Sequence, residues 1–128
     1  METSWIVQYG AVELALGAVS GWLVMLAVDR PELLKRIGVV APVRLRQAHI
    51  DLIMMGTILI ALGLAAPDLP APWSILLVAG ATVNPLLFIP LAFNAKLQKA
   101  LPYRAVTGLS FIAMTTGTVA AAVYLLSQ

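Results

Sequence analysis

Between Leu52 and Pro67 the chain carries no charge, and almost every side chain in that interval is apolar. Extended back to Gln47, the stretch is about twenty residues long, which as a helix spans the ~30 Å hydrocarbon core of a bilayer. Its leading end differs in kind. Arg44, Arg46, Asp51 and the chain's only histidine, His49, all fall there. One membrane helix therefore opens on ionic and coordinating side chains, and the remaining sequence is read around that opening.

Composition extends the argument to the whole chain. Of 128 residues, 61% are hydrophobic and 11% are charged, against roughly 25% charged in a soluble domain. Mean hydropathy is +0.95. So few polar groups cannot cover a soluble globule, and an integral membrane protein embedded in a lipid bilayer is expected. The net charge of +2 gives no footprint for nucleic acid. The absence of cysteine excludes disulfides, zinc–thiolate sites and iron–sulfur clusters within the chain. The N-terminal METSWIVQYG has no basic n-region, and the apolar stretch it opens is too long for a signal-peptide h-region. It is expected to remain as a mature helix.

Four spans follow, at about 5–28, 47–66, 73–94 and 105–126, forming one domain. The expected fold is all-α, an integral membrane four-helix bundle. The first span ends at Asp29-Arg30-Pro31, where proline removes a backbone donor and disfavours helix just before it. Gly17 and Gly21 have the small-xxx-small spacing that lets helix backbones approach. A linker, 32–43, leads to the second span, where His49, Gly56 and Gly63 lie seven apart and so nearly in line on one face. A histidine above a glycine groove leaves room for something flat. The third span is interrupted by Asn84-Pro85 and by Pro90, which predicts a kink. The fourth is rich in Gly, Thr and Ala, residues suited to close packing. The small residues of spans one and four exceed what one bundle needs, which predicts a homo-oligomer.

Few residues can carry chemistry. Glu13 is an ionisable group well inside span one, where a charge costs on the order of 2.5–3.5 kcal/mol on insertion scales. It is read either as hydrogen-bonded within the packing or as a proton-handling, pocket-lining group. Asn84 either satisfies backbone freed by Pro85 or donates to a ligand. His49 and Asp51 lie about 200° apart around a helix and do not make a catalytic pair. Asp51 is read as a helix-start or loop partner for Arg44, Arg46 or Arg104. His49 is either simply hydrogen-bonded or a metal ligand. One histidine cannot make a zinc site, but one can hold haem iron, because the porphyrin supplies four nitrogens. Arg44, Arg46 and Arg104 suit the propionates, and Gly56 leaves space for the macrocycle. Met54 and Met55 are possible thioether ligands, though methionine in such a helix is usually packing.

The segment Ala48-His49-Ile50-Asp51-Leu52-Ile53-Met54-Met55-Gly56 resembles the start of the second helix in the small membrane isomerases, styrene oxide isomerase and hydroxylaminobenzene mutase. There an Ala-His pair is followed by glycine seven residues after the histidine. Gln8-Tyr9-Gly10 is similar to the start of their first helix, and Ala81-Thr82-Val83-Asn84 to part of their third. The resemblance covers nearly the whole chain. It implies a trimer with haem b between subunits, His49 as the axial iron ligand and Asn84 as a pocket residue. It also implies a Lewis-acid rearrangement of a small apolar substrate, an aromatic epoxide or an arylhydroxylamine. The chain departs from the family at three positions. Met55 stands where it has asparagine, Phe88 where it has a substrate-orienting tyrosine, and Gly80 where it has aspartate.

Three functions compete on this basis. The first is a haem b-dependent isomerase or mutase. The second is a non-catalytic haem-binding membrane protein, a sensor or carrier. The third is a haem-free structural or transport subunit. All eight Lys and Arg fall in two segments, Arg30 to Arg46 and Lys96 to Arg104. The positive-inside rule then predicts that both basic loops are cytoplasmic and both termini outside, in a bacterial inner membrane.

Overall fold

The computed structural model describes residues 4–128; Met1 to Thr3, part of the N-terminal stretch read above, lie outside them. The order is α1 (Trp5–Asp29), α2 (Pro31–Arg36), α3 (Pro42–Ala65), α4 (Ala71–Leu86), α5 (Phe88–Phe93), a 3-10 turn (Ala95–Lys99) and α6 (Leu101–Leu126). The described residues contain no strand. α1, α3, α4 with α5, and α6 are each long and apolar enough to cross a membrane. The chain is an all-α integral membrane four-helix bundle.

Proline starts most of these helices. α2, α3, α4 and α6 each have one in the first two positions, where its missing N–H has no helical partner to lose. α1 and α5 are the exceptions; α1 is capped by Ser4, whose side chain accepts from Ile6 N–H at 3.3 Å. This rule moves two boundaries. The second span was expected to begin near Gln47, but α3 begins at Pro42; the fourth was expected near Ala105, but α6 begins at Leu101. Arg44, Arg46 and Asp51 are therefore helical, and Asp51 is not at a helix start.

The third span is two helices. Pro90 has no N–H to give the Leu86 carbonyl, and the break falls between them, at Leu87. After α2 the backbone turns at Gly38, the described chain's one positive φ, at 94°. Val39 N–H returns to Leu34 O at 3.0 Å and Gly38 N–H to Lys35 O at 3.1 Å, a Schellman cap that needs glycine at this position. The linker then pins itself to α5: Val40 and Ala41 N–H both donate to Ala92 O, at 2.8 and 3.0 Å.

α1 packs on α3, α3 on α4, and α4 on α6. Two seams are closed by glycine. A Cβ on Gly56 would lie 2.7 Å from Leu14 N, and one on Gly10 would lie 2.8 Å from Gly56 O. Between α4 and α6, a Cβ on Gly80 would lie 2.6 Å from Met114 N, and one on Gly117 would lie 2.7 Å from Leu77 N. Gly17 meets Ile53, and Gly21 meets the His49 ring. Of the span-one and span-four glycines, Gly10, Gly17, Gly21 and Gly117 are thus engaged within the chain. The outward faces carry large apolar side chains, Trp22 at 68% exposure and Leu109 at 66% among them, as suits helices solvated by lipid.

Candidate functional site

His49 is placed by the α1–α3 seam. Because Gly17 and Gly21 bring the backbones close, the imidazole reaches the main chain of α1. Nδ1 lies 2.7 Å from Gly17 O. A carbonyl only accepts, so Nδ1 must carry the hydrogen. Ser20 Oγ donates to the same carbonyl at 2.6 Å and lies 3.1 Å from Nδ1. Both hydrogen bonds of the ring are made at one nitrogen, so in the neutral ring the lone pair is on Nε2. The tautomer follows from this network, and the ring, half-buried, is fixed in direction.

Such a nitrogen is a ligand in waiting: metal-bound histidines almost always donate their other N–H to a carbonyl or carboxylate. Among the described residues no three His, Asp or Glu gather to hold a bare ion. A single histidine could serve only a metal that brings most of its own donors. The space beside Gly56 does not fit the expected role. α1 fills it, with Leu14 and Gly10 against the glycine, so Gly56 makes a helix contact and leaves no room for a macrocycle.

On the other side of α3 lies a cavity of about 670 Å³. α3 contributes Arg44, Asp51, Met54 and Met55 to it; Asn84, Leu87, Phe88 and Leu91 come from the broken third span. Tyr103, Arg104, Thr107, Gly108 and Phe111 come from α6, and Gln98 from the 3-10 turn. At 100° per residue, the four α3 residues lie about 140° to 240° around the helix from His49. The cavity and the histidine therefore occupy opposite faces.

Asn84 is 8% exposed and borders this cavity. Ser110 Oγ donates to its Oδ1, and also reaches Gly80 O at 3.4 Å. With Oδ1 engaged, the amide nitrogen retains both hydrogens for a ligand. Tyr103 O–H donates to Leu87 O at 2.5 Å, tying α6 to the break in the third span.

The arginines divide. Arg46 is exposed and, three residues before His49, lies about 60° from it. Arg44 and Arg104 are in the cavity instead. Asp51 does not pair with any of them: among the described residues the one ion pair is Arg30–Glu32 at 4.0 Å, exposed on both sides. Met54 and Met55 are cavity wall. Glu13 is 4% exposed, and neither carboxyl oxygen has a hydrogen-bond partner. It is neither bonded in the packing nor among the cavity's lining residues.

Sequence reasoning missed Ser20, Gln98, Tyr103 and Ser110. Ser20 was findable, one turn from Gly17 on the helix that buries it. Comparison with protein-family models, curated proteins and solved structures gives no match.

Proposed function

We propose that the chain is a haem b-dependent membrane isomerase or mutase acting on a small, largely apolar substrate. The observation that carries this reading is the Nδ1–H bond of His49 to Gly17 O, which leaves Nε2 without a hydrogen-bond partner. His49 would hold the iron, and Arg46, on the same side of α3, would meet a propionate at the interface. The bound iron would supply a Lewis acid that polarises a substrate oxygen. The chain's own part is to bind and orient. Asn84 would donate from its amide nitrogen to that oxygen, with Ser110 holding the amide, and Met55, Phe88 and Phe111 would exclude water from the apolar body.

One further point supports the resemblance behind this reading. Met55 and Phe88, at positions where the family has polar residues, border one cavity together with Asn84. The resemblance also implies a homotrimer with haem between subunits. Within one chain His49 and the cavity face apart, so the reading requires that the His49 face of one copy meet the cavity of another. The proposed orientation keeps both basic loops cytoplasmic and both termini outside, in a bacterial inner membrane.

The apolar character of Met55 and Phe88 favours a second reading, a haem-binding sensor or carrier without turnover. The test is the Soret absorbance of wild type and His49→Ala, purified side by side with haem supplied. A band in the wild type alone is expected, and equal haem content in the two overturns the ligand assignment. Turnover of an aromatic epoxide or arylhydroxylamine by the loaded protein separates enzyme from carrier.

A further inference from the structure

The mouth of the cavity holds two guanidinium groups, and neither is neutralised. Arg44 donates from Nη1 to Gln47 Oε1 at 2.9 Å and from Nη2 to Gln98 Oε1 at 3.1 Å. Two neutral amides thus hold it in place and leave its charge uncompensated, with N–H groups to spare out of five. Arg104 joins it from α6. Asp51, the one acidic residue of the lining, is two turns further along α3, about 10 Å away by helical rise, and pairs with neither. Beyond it Met54, Met55, Phe88 and Phe111 make the wall largely apolar, with Asn84 as a polar exception.

The opposite wall contains an unusual glycine. Every seam glycine would drive a Cβ into a neighbour, but a Cβ on Gly108 meets nothing within 4 Å. Packing does not require glycine there. Its absent side chain leaves width in the cavity.

We propose that this cavity binds an amphipathic organic anion, with a carboxylate between Arg44 and Arg104 and an apolar, aryl-sized body between Met55, Phe88 and Phe111. Gly108 sets the girth of that body. Asp51 disfavours the reversed orientation, which would bring two carboxylates together. Planar guanidinium forks match a carboxylate two hydrogen bonds at a time, so the head group is chosen by geometry as well as charge. This deepens the proposed function by naming a ligand class, and takes from it only that a small molecule occupies the cavity.

Calorimetric titration of the full chain in a mild detergent tests it, with phenylbutyrate as probe and phenylbutanol as its uncharged counterpart. Phenylbutyrate should bind about ten-fold more tightly or better, as expected for a charge-assisted pair. Arg44→Gln and Arg104→Gln should each reduce phenylbutyrate toward the affinity of the alcohol, leaving the alcohol unchanged. Gly108→Leu should abolish binding of both without lowering the unfolding midpoint. Equal affinity of the two probes in the wild type, or full binding by Gly108→Leu, overturns the inference. Titrating His49→Ala in parallel keeps the two proposals apart: carboxylate preference in that variant stands whatever the Soret comparison gives, and its loss leaves the haem reading untouched. A haem propionate offers the same head group. Competition by supplied haem in the wild type, absent in His49→Ala, assigns that source, and lack of competition assigns a separate small molecule.

Discussion

His49 and Asp51, two residues apart on α3, face opposite sides of it. His49 donates from Nδ1 to Gly17 O on α1 at 2.7 Å, and Asp51 borders the cavity shared with α4, α5 and α6. One helix thereby holds the His49 ring on one face and borders a hollow of about 670 Å³ on the other, and substitutions on the two faces should separate.

On the histidine face, Ser20→Ala removes the hydroxyl that shares Gly17 O with the ring and leaves the carbonyl. Haem affinity should fall about ten-fold, the low end for loss of an outer-shell partner. Arg46→Ala should weaken binding without abolishing it. Haem titration followed at the Soret band checks both, and unchanged affinity in Ser20→Ala would separate the hydroxyl from ring orientation.

On the cavity face, Asn84→Ala should retain haem and lose rearrangement activity, since the amide nitrogen that orients the substrate oxygen is gone. Ser110→Ala keeps the amide but frees it to rotate, and should cost less activity. Both lose one buried hydrogen bond, worth about 1 kcal/mol. Activity and pyridine-haem content measured on the same preparations distinguish the two effects.

The glycines give a stability prediction with a built-in control. Gly56→Ala and Gly80→Ala place a methyl against backbone and should cost about 1–3 kcal/mol of overpacking. Gly108→Ala meets open space and should be neutral or stabilising by up to about 1 kcal/mol through helix propensity. Unfolding midpoints in one detergent rank the three, and a destabilised Gly108→Ala would contradict the geometry.

Glu13 is a buried carboxyl with no partner for either oxygen. Replacing such a group with an apolar one of similar size removes a penalty of about 1–3 kcal/mol. Glu13→Leu should therefore raise the unfolding midpoint. A marked fall would mean that the carboxyl is engaged in the assembled protein.

Cysteines introduced at Ser4 and Ser127 should label with an impermeant reagent from outside the cell. Labelling from the cytoplasm alone would reverse the orientation.

What the sequence made legible follows from which forces act along the chain and which act across it. Hydrophobic length is a local property, so the four spans could be placed to within a few residues. The start of α3 was misjudged because hydropathy fades at Arg44 and Arg46, while the helix itself begins where Pro42 permits. Periodicity showed that His49, Gly56 and Gly63 share a face, but not which helix that face meets. α1 fills the groove at Gly56, and that decision lies in packing between segments. Asn84 was legible because an amide beside a proline in an apolar span is conspicuous. Tyr103 was not, since an aromatic next to a basic residue at a span's end reads as an interfacial anchor.

The break at Leu87 gives the cavity a wall of an unusual kind. Phe88 and Leu91 belong to α5, six residues long and separate from α4. Tyr103 fastens the Leu87 end from α6, and Val40 and Ala41 fasten the Ala92 end from the linker. These three hydrogen bonds, roughly 1 kcal/mol each, and the burial of Leu91 and Ala92 hold the wall in place. The cavity wall is thus latched at both ends by residues outside it, Tyr103 on α6 and Val40 and Ala41 in the linker.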